Sequence, residues 1–393
     1  MELMTGRAMD ADVVVVGAGI VGTSIALQLA RRAVGDVLLV DGRGPAAGMT
    51  GRSFRQVRTH YSNEVTTRLA RRGIEILRGW SDHVGIGDSG FEPVGYLLAV
   101  AADQAEGCAA NVALGRSLGV RTELVPADRL REIEPLLATD GLACGAWEPD
   151  SGLVDPVKVT LSATVAAQMA GASTLFGSPV RALRMGRDRV TGVVTDDGDI
   201  DAGTVVLAVG PWAPGLLAGT AIDLRMRLHT LELSVLRRPP GVPGLTTAVT
   251  HAPSGLVARC DSGPFVVAVA YPADAVRPEF PHDARVAADA ELRLRRALAA
   301  ALPSVDSAEV ITTIAGVYDV TPDWHPLLGP WPGVDGLYLA VGFSGHGLKL
   351  APAVGEAVAD ELAGRTPAID ISPLRPATTP RPLRFAYGPG ARA

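Results

Sequence analysis

Short β-branched runs recur along this chain, and their spacing predicts strands alternating with helices. Val13-Val14-Val15-Val16 is an unbroken apolar run of the kind buried on both faces in a parallel sheet. A helical pattern follows over Thr23–Arg32, and Val37-Leu38-Leu39-Val40 predicts a second strand. The pattern over Asp103–Leu118 is helical and leads into another strand-like piece. Pro156–Met169 predicts a long helix after a turn at Asp150-Ser151-Gly152. Val190–Val194 and Asp201–Val209 predict a hairpin arm and a strand. Several short strand-like runs lie between Leu224 and Val269, followed by a helix from about Asp283 to Ala301. Leu337–Val341 is a last buried strand, ahead of a helix through Val354–Leu362. From Thr366 onward proline and arginine replace periodicity, which predicts a wrapping or mobile extension.

Composition narrows the classes open to such a chain. Its 393 residues suffice for two or three domain-sized units, and 47% hydrophobic with 20% charged residues is an ordinary soluble composition. A net charge of −6 argues against a general affinity for nucleic acid or anionic membranes. No apolar run reaches about 18 residues, so no membrane span is expected. The three cysteines, Cys108, Cys144 and Cys260, are scattered and odd in number. They show no metal spacing, so no metal site is expected, and they suit a reducing compartment. Met1–Asp12 lacks the apolar stretch of a signal peptide, and the expectation is a cytoplasmic protein.

The loop after the first strand carries the first chemistry. In Gly17-Ala18-Gly19-Ile20-Val21-Gly22, Gly17 allows a tight turn, Gly19 admits a pyrophosphate to the backbone, and Gly22 lets helix and strand approach. Unpaired N–H groups and the helix dipole favour negative charge there. Asp41 follows Gly22 by 19 positions, placed to accept from a ribose 2′-hydroxyl and to disfavour a 2′-phosphate. This βαβ unit predicts dinucleotide binding, by itself NAD or FAD. Three later segments favour FAD. Thr204–Trp212 ends in Ala208-Val209-Gly210-Pro211-Trp212, a second glycine turn. Gly48–Arg58 places small residues and three arginines after the second strand. Gly342-Phe343-Ser344-Gly345-His346-Gly347-Leu348-Lys349 returns to the first unit after about 300 residues, which an extended flavin nucleotide requires. Lys349 is also one of only two lysines, with Lys158.

Together these segments resemble the amine-oxidising branch of the D-amino-acid-oxidase-like flavoproteins, and most of all the sarcosine oxidases and dimethylglycine dehydrogenases. The similarity runs in order through Val13–Asp41, Thr50–Tyr61, Val205–Trp212, Val317–Gly329 and Gly342–Leu350. Its most specific parts are the Gly342–Lys349 segment and Tyr318-Asp319-Val320-Thr321-Pro322-Asp323. The resemblance implies an α/β fold, α+β overall. A Rossmann-like FAD-binding domain (residues 11–85, 151–222 and 319–370) would be interleaved with a β-sheet-rich substrate domain (86–150 and 223–318), with 371–393 as a C-terminal tail. It implies FAD-dependent oxidation of the C–N bond of a secondary or tertiary amino acid or amino-acid-derived amine. Hydride would pass to flavin N5, giving an imine, with oxygen or another electron acceptor as the second partner.

Carried over residue by residue, the resemblance puts Arg58 and Lys349 on the substrate carboxylate, where a guanidinium fork and a second cation fix orientation. It makes Arg55 a cation beside the flavin and places Tyr61 and Tyr318 near the reacting centre. In the nucleotide half it implies cofactor contacts from Gly17, Gly19, Ile20, Val21, Gly22, Asp41, Gly42, Arg43, Met49, Thr50, Gly51, Arg52 and Ser53. Further contacts are implied from Val180, Gly210, Trp212, Gly342, Ser344, Gly345, His346, Gly347 and Lys349. Plainer readings stand beside these. Arg52, Arg55 and Arg58 recur every three residues, as on a solvated helical face, and Lys349 suits an exposed helix start. Tyr61 and Tyr318 suit aromatic packing, His60 a surface position, and Trp324 and His325 a structural turn.

The sequence also departs from its relatives. Some attach FAD through a cysteine two residues before the tyrosine matched by Tyr318, where this chain has Gly316. Others use a histidine after the second strand, where it has Gly48-Met49-Thr50. Non-covalent FAD is therefore expected. Oxidase relatives carry a lysine over the flavin, but the comparable strand here is Phe265-Val266-Val267-Ala268-Val269, which leaves Arg259 as a substitute cation and dehydrogenase behaviour plausible. Tyr271 stands roughly where a relative has histidine. A 2-hydroxy-acid dehydrogenase and a non-catalytic flavoprotein subunit remain the alternatives, and the oligomeric state is open.

Overall fold

The computed structural model describes residues 9–271, 282, 284–376 and 381. The apolar runs of the N-terminal third and the C-terminal end meet in one sheet. Its strand order is Leu327–Pro330, Leu337–Val341, Gly198–Leu207, Met9–Val16, Val37–Asp41 and Ser173–Phe176. All but the antiparallel edge strand Leu327–Pro330 run parallel, and the Val180–Met185/Val190–Thr195 hairpin extends from Gly198–Leu207. The central strands are buried on both faces, as their unbroken runs require. Helices Ile20–Arg31, Glu64–Arg78, Pro156–Met169 and Gly347–Leu362 share one core over this sheet.

A second sheet is built from the middle of the chain, in the order Glu309–Val320, Arg227–Arg237, Phe265–Ala270, Leu256–Cys260, Ala248–His251, Tyr96–Ala101, Leu142–Glu148 and Glu123–Pro126. Alternation decides its two faces. Leu97, Ala99, Val249, Ala258, Val266 and Ala268 face helix Ala290–Ala301 and form a core with it. Their neighbours Leu98, Thr250, Val257 and Val269 point the other way, into a large cavity. The edge strand Glu309–Val320 joins the two halves of the molecule. Asp319 Oδ2 accepts from the N–H groups of Gly342 (2.7 Å) and Phe343 (3.2 Å), at the turn leaving Leu337–Val341.

Several sequence expectations shift. The first helix starts at Ile20, three residues early, because the glycine loop feeds directly into it. The helix expected from about residue 283 starts at Ala290, and Asp283 lies outside the described residues. The last helix starts at Gly347, so Lys349 sits in its first turn. The three arginines share no helical face: Arg52 ends a short turn, Arg55 has φ 70°, and Arg58 follows the strand Gln56–Val57. Of the tail, Arg381 is described, and it clamps Asp323 through both nitrogens Nε (2.7 Å) and Nη2 (2.6 Å). No helix among the described residues is long and apolar enough to cross a membrane.

Candidate functional site

A cavity of about 670 Å³ lies between the two sheets, reaching from the Gly17 turn to the face of the second sheet. At one end the chain has made room for it with glycine. A Cβ on Gly17 would lie 2.6 Å from the Ala208 carbonyl oxygen, and one on Gly22 only 1.9 Å from that of Gly17. The strand, loop and helix therefore close as tightly as backbone allows. Gly19 is the N-cap of Ile20–Arg31 and offers no capping side chain; Thr50 Oγ1 takes the Ile20 N–H at 3.1 Å. This helix opens into the cavity with its positive end, as a phosphate site requires.

Most residues expected to touch a cofactor line the cavity. They include Gly17, Gly19, Ile20, Val21, Asp41, Gly42, Arg43, Met49, Thr50, Arg52 and Ser53. From later segments Val180, Gly210, Trp212, Ser344, Gly345, His346, Gly347 and Lys349 join them. Arg43 stacks over Trp212 at 5.7 Å, forming one wall. Asp41 has a second task the sequence did not disclose. It accepts from the N–H groups of Ala18 (2.8 Å), Arg43 (2.7 Å) and Gly44 (2.9 Å), so about one of its four acceptor sites is left for a ligand. Gly22, Gly51 and Gly342 stand behind the wall, where added Cβ atoms would meet Gly17 O at 1.9 Å, Ala46 O at 2.6 Å and Thr321 Cγ2 at 2.4 Å. Their place is to let others approach.

Where the last helix meets the cavity the cations gather. Arg58 and Lys349 both line the cavity with only 9% and 6% of their surfaces exposed. Arg58 lies over the rings of Tyr61 (4.9 Å) and Tyr96 (5.6 Å) and donates to the His60 carbonyl. Burial opposes its charge, but the tyrosines and Glu148 more than compensate and hold it above the usual arginine value. Lys349 has no hydrogen-bond partner among the described residues. Burial, and then the Arg58 guanidinium, push it well below the ordinary lysine range, while Glu148 pulls it back. Glu148, buried behind Arg58, accepts from Thr59 N–H (2.8 Å) and Ser151 Oγ (2.7 Å), and burial raises its carboxyl. The sequence signal for it was a lone carboxylate ending an apolar strand.

His60 and His346 are held neutral by burial and the neighbouring cations. His60 is buried, against the surface position expected of it, and burial followed by Arg58 lowers it to about 3. It also meets Asn111 Nδ2 at 3.3 Å. His346 is lowered by burial and then by Lys349 and Arg58, and its Nδ1 meets the Tyr61 hydroxyl at 3.0 Å. Tyr61 supports Arg58 and His346 from behind the cavity wall, whereas Tyr318 lines the cavity and bonds to Tyr271. Trp324, expected to be structural, lines it as well, while His325 is fixed against Asn63 (3.2 Å).

Arg55 lies elsewhere. It does not line the cavity: Glu92 (2.9 Å) and Asp261 (3.1 Å) take its guanidinium, and its Nε donates to Val154 O. Its positive φ turns the side chain away from the direction of Arg58. Arg259 is also outside the wall, held by Phe54 O at 2.8 Å and by Asp261.

One unforeseen residue sets the position of Lys349. A Cβ on Gly73, in helix Glu64–Arg78, would lie 1.9 Å from the Lys349 carbonyl oxygen. Gly73→Ala must push the two helices apart, with an overpacking cost of about 1–3 kcal/mol. The expected result is a lower melting temperature. An unchanged value in thermal unfolding would show the contact to be slack.

The sequence model of the family described as FAD dependent oxidoreductase (DAO) matches residues 12–361. The chain belongs to this FAD-dependent oxidoreductase family. Its members and neighbours identify the cofactor of the cavity as FAD, and the uncapped helix, the glycine cradle and the Arg43–Trp212 wall fit a dinucleotide. Among curated family relatives, the chain is 27% identical to glycine oxidase of Geobacillus kaustophilus over 92% of this chain and 96% of that protein. It is 26% identical to 4-methylaminobutanoate oxidase (formaldehyde-forming) of Paenarthrobacter nicotinovorans over 91% of this chain, which spans 44% of that protein's length. Among solved family structures, L-proline dehydrogenase from P. horikoshii superposes with a TM-score of 0.84 at 25% identity, covering 94% of this chain and 97% of that one. This FAD-dependent oxidoreductase thus falls among amino-acid and amine oxidoreductases.

Proposed function

We propose that the protein oxidises the C–N bond of a secondary or tertiary amino acid, or an amine derived from one, giving an imine. The observation that carries this reading is the pair of buried cations at the head of the cavity, Arg58 and Lys349, the latter without a hydrogen-bond partner among the described residues. Two desolvated positive charges facing one space destabilise each other, and a carboxylate placed between them relieves both. Arg58, steadied by Tyr61, Tyr96 and the His60 carbonyl, supplies the directional grip; Lys349 supplies a second point of charge.

The same charges prepare the amine. A cationic chamber disfavours an ammonium and so favours the free-base amine, whose lone pair must assist departure of hydride. His60 also lines the cavity and, held neutral by burial and Arg58, adds no further charge to it. FAD, when bound, supplies the hydride acceptor. We read it as non-covalently held, because Gly316 and Gly48-Met49-Thr50 offer no side chain for a tether. Lys158 is exposed and pairs with Asp88 at 3.4 Å, so it contributes nothing to the chamber, and an electron acceptor other than oxygen suits the site.

The decisive experiment is anaerobic bleaching of the flavin in the purified holoprotein by sarcosine, dimethylglycine, proline, glycine and 2-hydroxy acids. Bleaching by one or more amines is expected. Bleaching by hydroxy acids alone would replace this reading with a 2-hydroxy-acid dehydrogenase, and bleaching neither by these nor by larger N-methyl amino acids would favour a non-catalytic flavoprotein.

A further inference from the structure

The wall facing Arg58 and Lys349 has a pattern that the amine chemistry does not explain. Leu233 pairs with Val269, Val269 with Val257, Val257 with Thr250, and Thr250 with Leu98. These five residues occupy one transverse row across five adjacent strands, and all line the cavity. Four are aliphatic. The fifth, Thr250, has its hydroxyl engaged by Tyr96 at 3.1 Å, so the row carries no charge. Leu231 adds to the same wall from the neighbouring row.

The row does not end at a closed barrier. Next to Leu231 the edge strand presents Gly316, which lines the cavity and whose added Cβ would meet nothing within 4 Å. Two residues further along the same face, Ile314 stands beside Leu233 and is 40% exposed. The row therefore forms an apolar strip across the sheet, starting two residues from Tyr96, over whose ring Arg58 lies, and bordered at the edge strand by Gly316.

We propose that the substrate is an amino acid whose Cα or nitrogen bears an extended, uncharged apolar substituent, lying along this strip. This rests on the reading above that Arg58 and Lys349 take the carboxylate. A methyl group would leave the aliphatic row facing water, whereas a longer chain buries against it. Each buried methylene gains about fourfold in affinity. The neutral row also rejects a second charged end, since nothing in it compensates a desolvated carboxylate or ammonium.

The test separates the strip from the amine chemistry. Acetate, butanoate, hexanoate and octanoate are titrated into the oxidised holoprotein, with binding followed by perturbation of the flavin spectrum, beside the matching amides. Affinity is expected to rise about fourfold per methylene at least as far as hexanoate. Val257→Thr together with Val269→Thr, which keeps the shape of the row but makes it polar, is expected to flatten that slope. A flat or falling series in the parent protein overturns the proposal while leaving the carboxylate grip intact. Amides binding as well as carboxylates would remove the grip itself, and the proposal with it. A parallel anaerobic bleaching series from sarcosine to N-methylnorleucine and N-methylphenylalanine should rank the larger substrates first; sarcosine ranking first would count against the strip even if the amine chemistry holds.

Discussion

Replacing Lys349 with methionine is expected to weaken carboxylate substrates by about 100-fold, or ~3 kcal/mol, the usual cost of truncating one partner of a buried charge pair. Flavin content should fall far less, because the cradle formed by Gly17, Gly19 and Gly22 is built from main chain and does not depend on the Lys349 side chain. Titration with a carboxylate ligand beside the flavin-to-protein absorbance ratio checks both. The pH dependence gives a sharper signature. In the ligand-free protein burial and Arg58 hold Lys349 well below its ordinary value, so part of the population is neutral at a pH where a normal lysine is charged. A carboxylate prefers the charged form and restores it. Affinity should therefore be highest at low pH and decline as pH rises through the depressed Lys349 value, by at most about tenfold per pH unit for one linked proton. Lys349→Met should abolish that slope. A variant that keeps the parent's pH profile would show that another group is responsible.

Gly22→Ala is expected to yield protein without flavin. The added methyl would sit 1.9 Å from the Gly17 carbonyl oxygen and 3.1 Å from its carbon, so main chain and not a flexible side chain must move. The first helix must lift off the turn that aims its N–H groups at the cavity, which removes their hold on the pyrophosphate. A stability loss of about 3 kcal/mol or more accompanies it, as for other clashes that force main chain apart. Absorbance near the flavin band after purification, together with thermal unfolding, reads both effects. Full flavin occupancy in this variant would mean that the βαβ turn does not govern cofactor binding.

The elements and their chemistry were legible to different depths. Pro156–Met169 and Leu337–Val341 match their patterns residue for residue, because proline, β-branching and apolar runs act locally. Helix Ala290–Ala301 was overextended toward its N-terminus because polar, alanine-rich sequence satisfies a helical pattern without a face to bury. The arginine triplet misled most. Its period of three suited a helix, yet residue 55 adopts φ 70° and the chain turns, sending Arg55 to Glu92 and Asp261 and Arg58 into the cavity. Gly73 was unreadable, since its reason is the Lys349 carbonyl more than 270 positions away.

By itself the sequence determined the nucleotide turn from Gly17 to Asp41 and the glycine-rich return ending in Lys349. Both depend on backbone conformation and on the absence of side chains, which are local properties. Only the tertiary structure decided that Arg58 and Lys349, which the resemblance had put on one carboxylate, are both buried and that Glu148 backs them. It also decided that His60 and His346 stay neutral and that an aliphatic row lines the same cavity. These follow from which elements pack together, because charge, burial and the cost of desolvation belong to a place in the fold and not to a position in the chain.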